Sequence, residues 1–386
     1  MSTIYEKALA QHKEWKGKIS VSSKAQVRNK EDLSLAYSPG VAQPSREIAK
    51  DKEKAYDYTW KGNAVAVVSD GSAVLGLGNI GASAAMPVME GKALLFKEFA
   101  DIDAVPLCVN SQDETEIIRF VEMVSPSFGG INLEDISAPR CVTIERALVE
   151  KLDIPVFHDD QHGTAIVVVA ALMNALKLVQ KTPENVRIVV SGTGAAGSAI
   201  IKMLHNFGVK NILAFNKNGL LAKGNQNAEN FLDEELLEIT NPENQECSFE
   251  QAFVNADVFI GVSAPNIVTE KMVASMNEKA IVFAMANPEP EIAYEKAINA
   301  GAYIVGTGRS DYPNQINNVL AFPGLFRGVL DSGVRKITEE MKLVTAKAIA
   351  SLVDECELSP ENIIPSAFHP EVVTRISEEI QKLVRK

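Results

Sequence analysis

The apolar positions along this chain follow two rhythms. Short apolar runs recur at Ala64–Ser69, Ala104–Val109, Arg187–Ser191, Asn211–Asn216, Val258–Val262, Ala280–Ala284 and Ala302–Val305, and each reads as a strand. Between them lie longer stretches with helical spacing, over about Gly81–Phe96, Glu114–Val124, Arg140–Lys151, about Thr164–Gln180 and Ala195–Phe207. Strands alternating with helices predict a parallel sheet. Two further short runs, Ile131–Leu133 and Ile154–Phe157, end at Glu134-Asp135 and His158-Asp159-Asp160. Asp70-Gly71 after the first strand is a hairpin signal, which predicts a return strand over Ala73–Leu77. Residues 1–60 read as helices and loops broken at Tyr37-Ser38-Pro39-Gly40, and the chain ends in helices from about Lys336.

Composition narrows the class. A chain of 386 residues exceeds one ordinary core, so two domains are expected, with the boundary near residue 160. The net charge of −12 argues against a nucleic-acid partner, which needs a basic face. The four cysteines, Cys108, Cys141, Cys247 and Cys356, form no C-x-x-C pair, which predicts reduced thiols in the cytoplasm rather than a zinc or disulfide framework. Met1–Ser20 lacks a signal-peptide apolar stretch. Ala165–Leu172 is strongly apolar, but Asn174 and Lys177 follow too soon for a bilayer span, so no membrane association is expected.

Gly192-Thr193-Gly194-Ala195-Ala196-Gly197 follows one strand and opens a helix. The first glycine permits a tight turn, the second lets a pyrophosphate approach the backbone, and the third lets helix and strand pack closely. Amide groups at the helix start then face the phosphates. In that context the motif reads as a dinucleotide site, and residues 161–386 as a doubly wound Rossmann-type parallel-sheet domain with C-terminal helices, preceded by a smaller α/β domain over residues 1–160. A second match, Gly76-Leu77-Gly78-Asn79-Ile80-Gly81, lacks the opening strand and reads as a tight strand-to-helix turn. The ribose reader belongs about 20 residues beyond the first motif. Asn216 stands there, followed by Lys217, which is either an acceptor of a 2′-phosphate or a solvated loop lysine. NAD is the expected cofactor, with NADP left open.

Adjacent acids at strand ends, Glu134-Asp135 and Asp159-Asp160, repel one another unless a cation lies between them. Oxygen donors suit Mg²⁺ or Mn²⁺, although either pair alone reads as an ordinary acidic loop. His158 and His162 read as packing or supporting residues, since no cysteine or further histidine completes a zinc set. Lys92 sits in an apolar stretch, where lost solvation lowers a lysine pKa and makes a base, or where the stem simply lies along a helix. Tyr37 is either a proton donor in a desolvated site or an interface or core tyrosine. Asn287 is either a substrate contact or an Asx-turn residue before Pro288.

Together these segments resemble the malic enzyme family in its short microbial form, over nearly the whole chain. The carrying residues are Tyr37-Ser38-Pro39-Gly40-Val41, Leu75-Gly76-Leu77-Gly78-Asn79-Ile80-Gly81, Gly91-Lys92, Asn132-Leu133-Glu134-Asp135 and Phe157-His158-Asp159-Asp160-Gln161-His162-Gly163-Thr164-Ala165. The dinucleotide motif, Ala286-Asn287-Pro288, and Asn317-Asn318 before Phe322-Pro323-Gly324 continue the series. The resemblance implies oxidative decarboxylation of L-malate to pyruvate and CO₂ by a homodimer, with NAD(P) and Mg²⁺ or Mn²⁺. It implies Glu134, Asp135 and Asp160 as metal ligands, Asp159 as their support, Lys92 as base and substrate contact, Tyr37 as acid, and Asn287 and Asn318 as malate contacts. It places the second glycine motif in the substrate domain, residues 1–160. Two departures stand out. Ala73 occupies the place where longer members carry a carboxylate-clamping arginine, and Asn216 stands where the family often has Asp. A malate dehydrogenase stopping at oxaloacetate and a malolactic enzyme are the alternative activities. A non-catalytic dinucleotide sensor is the alternative of another class, and it leaves the carboxylate pairs and Lys92 unexplained.

Overall fold

The apolar runs form two sheets. A computed structural model describes residues 3–74 and 76–385. In the first sheet β1 (Ala64–Ser69), β2 (Asp103–Cys108), β3 (Gly130–Leu133) and β4 (Val156–His158) lie in the order β2-β1-β3-β4, all parallel. The second holds β5 (Arg187–Ser191), β6 (Asn211–Asn216), β7 (Gly219–Leu220), β8 (Val258–Gly261), β9 (Ile281–Ala284) and β10 (Ile304–Thr307), in the order β10-β9-β8-β5-β6-β7. Only β7 runs antiparallel, against β6. Every residue of β1 is buried, which is why its sequence, Ala-Val-Ala-Val-Val-Ser, shows no polar alternation. In each sheet the strand order reverses beside the first strand, between β1 and β3 and between β5 and β8, and such switch points open a crevice at the carboxyl ends of the strands.

The expected hairpin does not form. Both edges of β1 are taken by parallel partners, β2 and β3, so no edge is left for a return strand. Val74 and Gly78 make only an isolated bridge, and Leu75 lies outside the described residues. The chain closes a loop instead: the amides of Ile80 and Gly81 donate to the carbonyl of Gly71. Gly71 has φ 68°, and a Cβ there would lie 2.4 Å from the Gly81 carbonyl oxygen, so the closure requires glycine. The loop feeds the helix Ala82–Ala100.

The helix Asp159–Val179 starts directly at the end of β4, five residues earlier than its apolar pattern predicts. At 21 residues it is long and apolar enough to cross a membrane, but 72% of its most apolar window is buried inside the protein. It is a core helix. The helix Phe322–Ser332 returns to the first sheet: Phe326 meets Phe96 at 5.3 Å and Phe157 at 5.9 Å between ring centroids, and Phe322 meets Phe96 at 4.7 Å. Its Gly324 and Gly328 lie against Ile376 and Ile380 of the helix Val372–Val384, where any Cβ would come within 3 Å of those side chains. One apolar core therefore runs across residue 160 and joins the two sheets. Phe326→Ala is expected to lower unfolding stability by about 3–5 kcal/mol. Denaturant unfolding reads this as a fall in midpoint at unchanged slope, and a loss under about 1 kcal/mol would show that the aromatic cluster does not tie the sheets together.

Candidate active site

Strand ends of the first sheet bring the acids together. Glu134 and Asp135 follow β3, and Asp159 and Asp160 follow β4, which pairs with β3 in register from Ile131↔Val156 to Leu133↔His158. One carboxylate oxygen from each of Glu134, Asp135 and Asp160 lies within 4.8 Å of the others. Asp135 adopts a left-handed conformation (φ 53°), uncommon for a residue with a side chain, and its amide donates to Asp160 Oδ2 at 2.8 Å. Gly163, one turn into the following helix, has no room for a side chain, since a Cβ would lie 1.9 Å from Asp159 Oδ1.

Lys92 reaches this cluster from the helix Ala82–Ala100. Its ammonium donates to Asp159 Oδ2 at 2.6 Å and to Glu134 Oε1 at 2.9 Å, and lies 4.2 Å from the centre of the Phe322 ring. Burial works to lower its pKa, as the sequence suggests, but Asp159 and Glu134 outweigh burial and hold it above the ordinary lysine value. Burial pushes Glu134 up to about 7 against the pull of Lys92. Burial likewise lifts Asp159 to about 7. Asp160, a third exposed, rises less, to about 6. Glu134 and Asp159 thus share one ammonium, whose charge also acts on Asp160. An all-oxygen donor set at this spacing fits a hard divalent cation.

The dinucleotide turn lies across the cleft. Gly192 follows β5 with φ 103°, and a Cβ there would lie 2.6 Å from the Val262 carbonyl oxygen at the end of β8. At Gly197 a Cβ would lie 1.8 Å from the Gly192 carbonyl oxygen, so the helix Ala195–Phe207 sits as close as the motif requires. A cleft of about 470 Å³ is lined by Asp135 and Asp160, by Ala195 and Ala196 of the turn, and by Asn287 and Asn318. The loop carrying the second glycine motif meets the second sheet here, since a Cβ on Gly76 would stand 3.5 Å from Pro288. That motif frames the cleft from the first sheet.

Residues 16–149 match the malic enzyme N-terminal domain family, and residues 161–385 the malic enzyme NAD binding domain family. The chain is 53% identical over 380 residues to the bifunctional malic/malolactic enzyme of Bacillus subtilis, covering 98% of this chain and 93% of that one. It is 55% identical to the NAD-dependent malic enzyme of Geobacillus stearothermophilus, over 94% of this chain and 76% of that one. The chain belongs to the malic enzyme family. The crystal structure of an NAD-dependent malic enzyme from Thermotoga maritima, at 51% identity, superposes with a TM-score of 0.94 over 97% of this chain and 98% of that one.

Within this malic enzyme fold, Asp135, Asp160, Ala195, Ala196, Asn287 and Asn318 line the cleft, Lys92 ties Glu134 and Asp159 together beside them, and Asn216 and Tyr37 do not line it. Tyr37 ends the short helix Lys30–Ala36, is 69% exposed, and does not line the cleft. Ala73 does line it, with no cationic side chain among the lining residues. His162 faces away from the acids: it bonds to Glu145 at 2.9 Å and to Lys342 at 3.0 Å. His158 is fully buried, and burial lowers its pKa to about 4. Two supporting acids escaped sequence reasoning. Glu145 accepts from the His158 amide and from Gln161, bracing the turn that carries Asp159 and Asp160; burial would raise its pKa, but His162 and Lys342 bring it down to about 2. Glu291 accepts from the amides of Ser263 and Ala286, fixing the ends of β8 and β9. Nothing local in the sequence separates such acids from solvated ones.

The raised carboxyl values carry a pH dependence. Between about pH 4, the unfolded value, and about pH 7, the folded protein binds more protons than the unfolded chain, so metal-free stability falls as pH rises through that window. A divalent cation favours the ionised form and offsets the loss. Saturating Mn²⁺ is therefore expected to raise Tm more at pH 8 than at pH 5. An equal rise at both pH values in thermal scans would refute the cluster as its binding site.

Proposed function

We propose that this protein oxidises and decarboxylates L-malate to pyruvate and CO₂ while reducing NAD or NADP, with a divalent metal. One observation carries the reading: three carboxylates converge, two of them, Asp135 and Asp160, line the same cleft as Ala195 and Ala196 of the glycine turn, and the third, Glu134, is bonded to Lys92. Glu134, Asp135 and Asp160 would hold Mg²⁺ or Mn²⁺, which supplies Lewis-acid polarisation of the hydroxy-acid oxygens and draws electrons as CO₂ leaves. The dinucleotide, bound on Gly192–Gly197, supplies the hydride acceptor.

The protein's own groups then manage the protons. The Lys92 ammonium lends its proton to Asp159 across 2.6 Å and receives the proton of the C2 hydroxyl. Asp159 is the acceptor within reach, and the positive charge of a bound cation would offset the hold that Asp159 and Glu134 keep on the Lys92 proton. Asn287 and Asn318, which line the cleft, orient the substrate, and Asn318 also bonds to Asp159 beside Lys92. Tyr37 protonates C3 after decarboxylation. It belongs to an N-terminal segment whose helices Ile4–Trp15, Lys30–Ala36 and Ala42–Lys50 bury no residue, and which exposes Tyr5, Leu9, Trp15, Leu33 and Leu35. So large an apolar face fits a second copy of the chain, so the active form is a homodimer in which this face, and Tyr37 with it, is covered. The division at residue 160 into substrate and dinucleotide portions belongs to the same proposal, as does a reducing, cytoplasmic setting for its four free thiols.

A second reading has its own support, in the malic/malolactic relative: lactate as product, with no net reduced cofactor. An assay with malate, Mn²⁺ and either nucleotide, following pyruvate, lactate, CO₂ and reduced cofactor together, separates the two. Equal yields of pyruvate, CO₂ and reduced cofactor are expected, and oxaloacetate accumulating without CO₂ would end the proposal. Lys92→Ala is expected to lower kcat by about 10²–10⁴-fold. Near-normal turnover of that variant would remove Lys92 from the base role. For Tyr37→Phe, pyruvate formation is expected to fall while the variant still binds Mn²⁺ and nucleotide, and undiminished pyruvate would point to another acid.

A further inference from the structure

Cofactor choice is written at the end of β6. We propose that Asp233 makes the enzyme selective for a dinucleotide with a free adenosine 2′-hydroxyl, by helping to hold the Asn216 amide so that its oxygen stays an acceptor and by setting a buried negative charge beside it. The inference rests on the reading of Gly192–Gly197 as a dinucleotide turn.

Asn216 is the last residue of β6, where the reader of the adenosine ribose belongs. An asparagine there is ambiguous, because one face of its amide accepts hydrogen bonds and the other donates. The structure removes the ambiguity. The amide nitrogen donates to the Asn227 carbonyl at 2.6 Å and to Asp233 Oδ2 at 3.0 Å. The reverse orientation would set the amide oxygen against two oxygens, so these partners fix it. The remaining Oδ1 accepts the Asn218 amide at 2.9 Å and keeps a second lone pair. Asn216 therefore offers an acceptor, as an aspartate would. A ribose hydroxyl can donate to it, whereas a 2′-phosphate brings further acceptors and no matching donor.

Asp233 adds a second bias. It is 1% exposed, on the helix Phe231–Leu236, and its carboxylate joins the two structures that flank the ribose. Oδ1 accepts Thr193 Oγ1 at 2.5 Å, inside the glycine turn, while Oδ2 also accepts the Glu229 amide at 2.9 Å. A carboxylate buried between the glycine turn and the end of β6 opposes a 2′-phosphate by charge. The cation that might have welcomed that phosphate is engaged, since Lys217 pairs with Glu229 at 3.2 Å with its side chain largely in solvent. Asp233 acts through Asn216 and through its field, so it is a positioning residue.

The test compares full-length protein with Asp233→Asn. Specificity constants are measured for NAD and NADP, and binding is measured for AMP and adenosine 2′,5′-bisphosphate, which report the adenosine end without turnover. The native protein is expected to favour NAD and AMP. In the variant the buried negative charge is gone and one of the two acceptors holding the Asn216 amide is weakened, so the NADP-to-NAD ratio is expected to rise about tenfold or more. A merely structural role would weaken both nucleotides equally and leave the ratio unchanged, which would overturn the proposal. Native protein that prefers NADP, or binds both probes alike, would overturn it even if the variant fails to fold. If no adenine nucleotide binds at all, the dinucleotide reading itself fails; binding without selectivity defeats only the present inference.

Discussion

One buried ammonium ties two carboxylates together, and the architecture around the cleft follows from that contact. Lys92 bridges Glu134 and Asp159, drawn from the ends of two neighbouring strands, β3 and β4. Without it, two buried carboxylates side by side would drive each other neutral. Its own position depends on the helix Ala82–Ala100, which begins only because the Gly71–Gly81 loop turns the chain back from β1. Phe322, from far along the chain, lies against the same ammonium. Residues widely separated in sequence thus converge on one charge, and the packing that holds them is the core common to both sheets.

Much of this organisation is legible in the sequence because local rules and the final fold agree. The strands Arg187–Ser191 and Asn211–Asn216 and the helices Glu114–Val124, Arg140–Lys151 and Ala195–Phe207 form where their patterns begin and end. The hairpin at Asp70-Gly71 misleads because a turn signal says nothing about whether a strand edge is vacant. The helix at Asp159 begins before its apolar pattern does. Its first turn carries the acids, polar for chemistry rather than for solvent, and a periodicity count skips them.

The candidate site was readable as residue types and spacing, but not as energetics. The sequence leaves Lys92 open between a desolvated base and a stem lying along a helix; burial does act to lower its pKa, yet the carboxylates opposite decide the sign. Their approach is a long-range fact that no window along the chain contains. The same holds for Glu145, Glu291 and Asp233, three buried acids that each gather several donors and fix a loop from behind. In a linear reading they look like their solvated neighbours, since only the fold removes them from water.

The helix Asp159–Val179 carries acids of the cleft in its first turn and then runs through the shared core with no connecting loop after β4. The one helix thus belongs both to the acid cluster and to the packing between the two sheets, which meet again where the glycine-rich segment approaches Pro288. A change of side-chain volume deep inside that rod therefore bears on the element that sets the positions of Asp159 and Asp160.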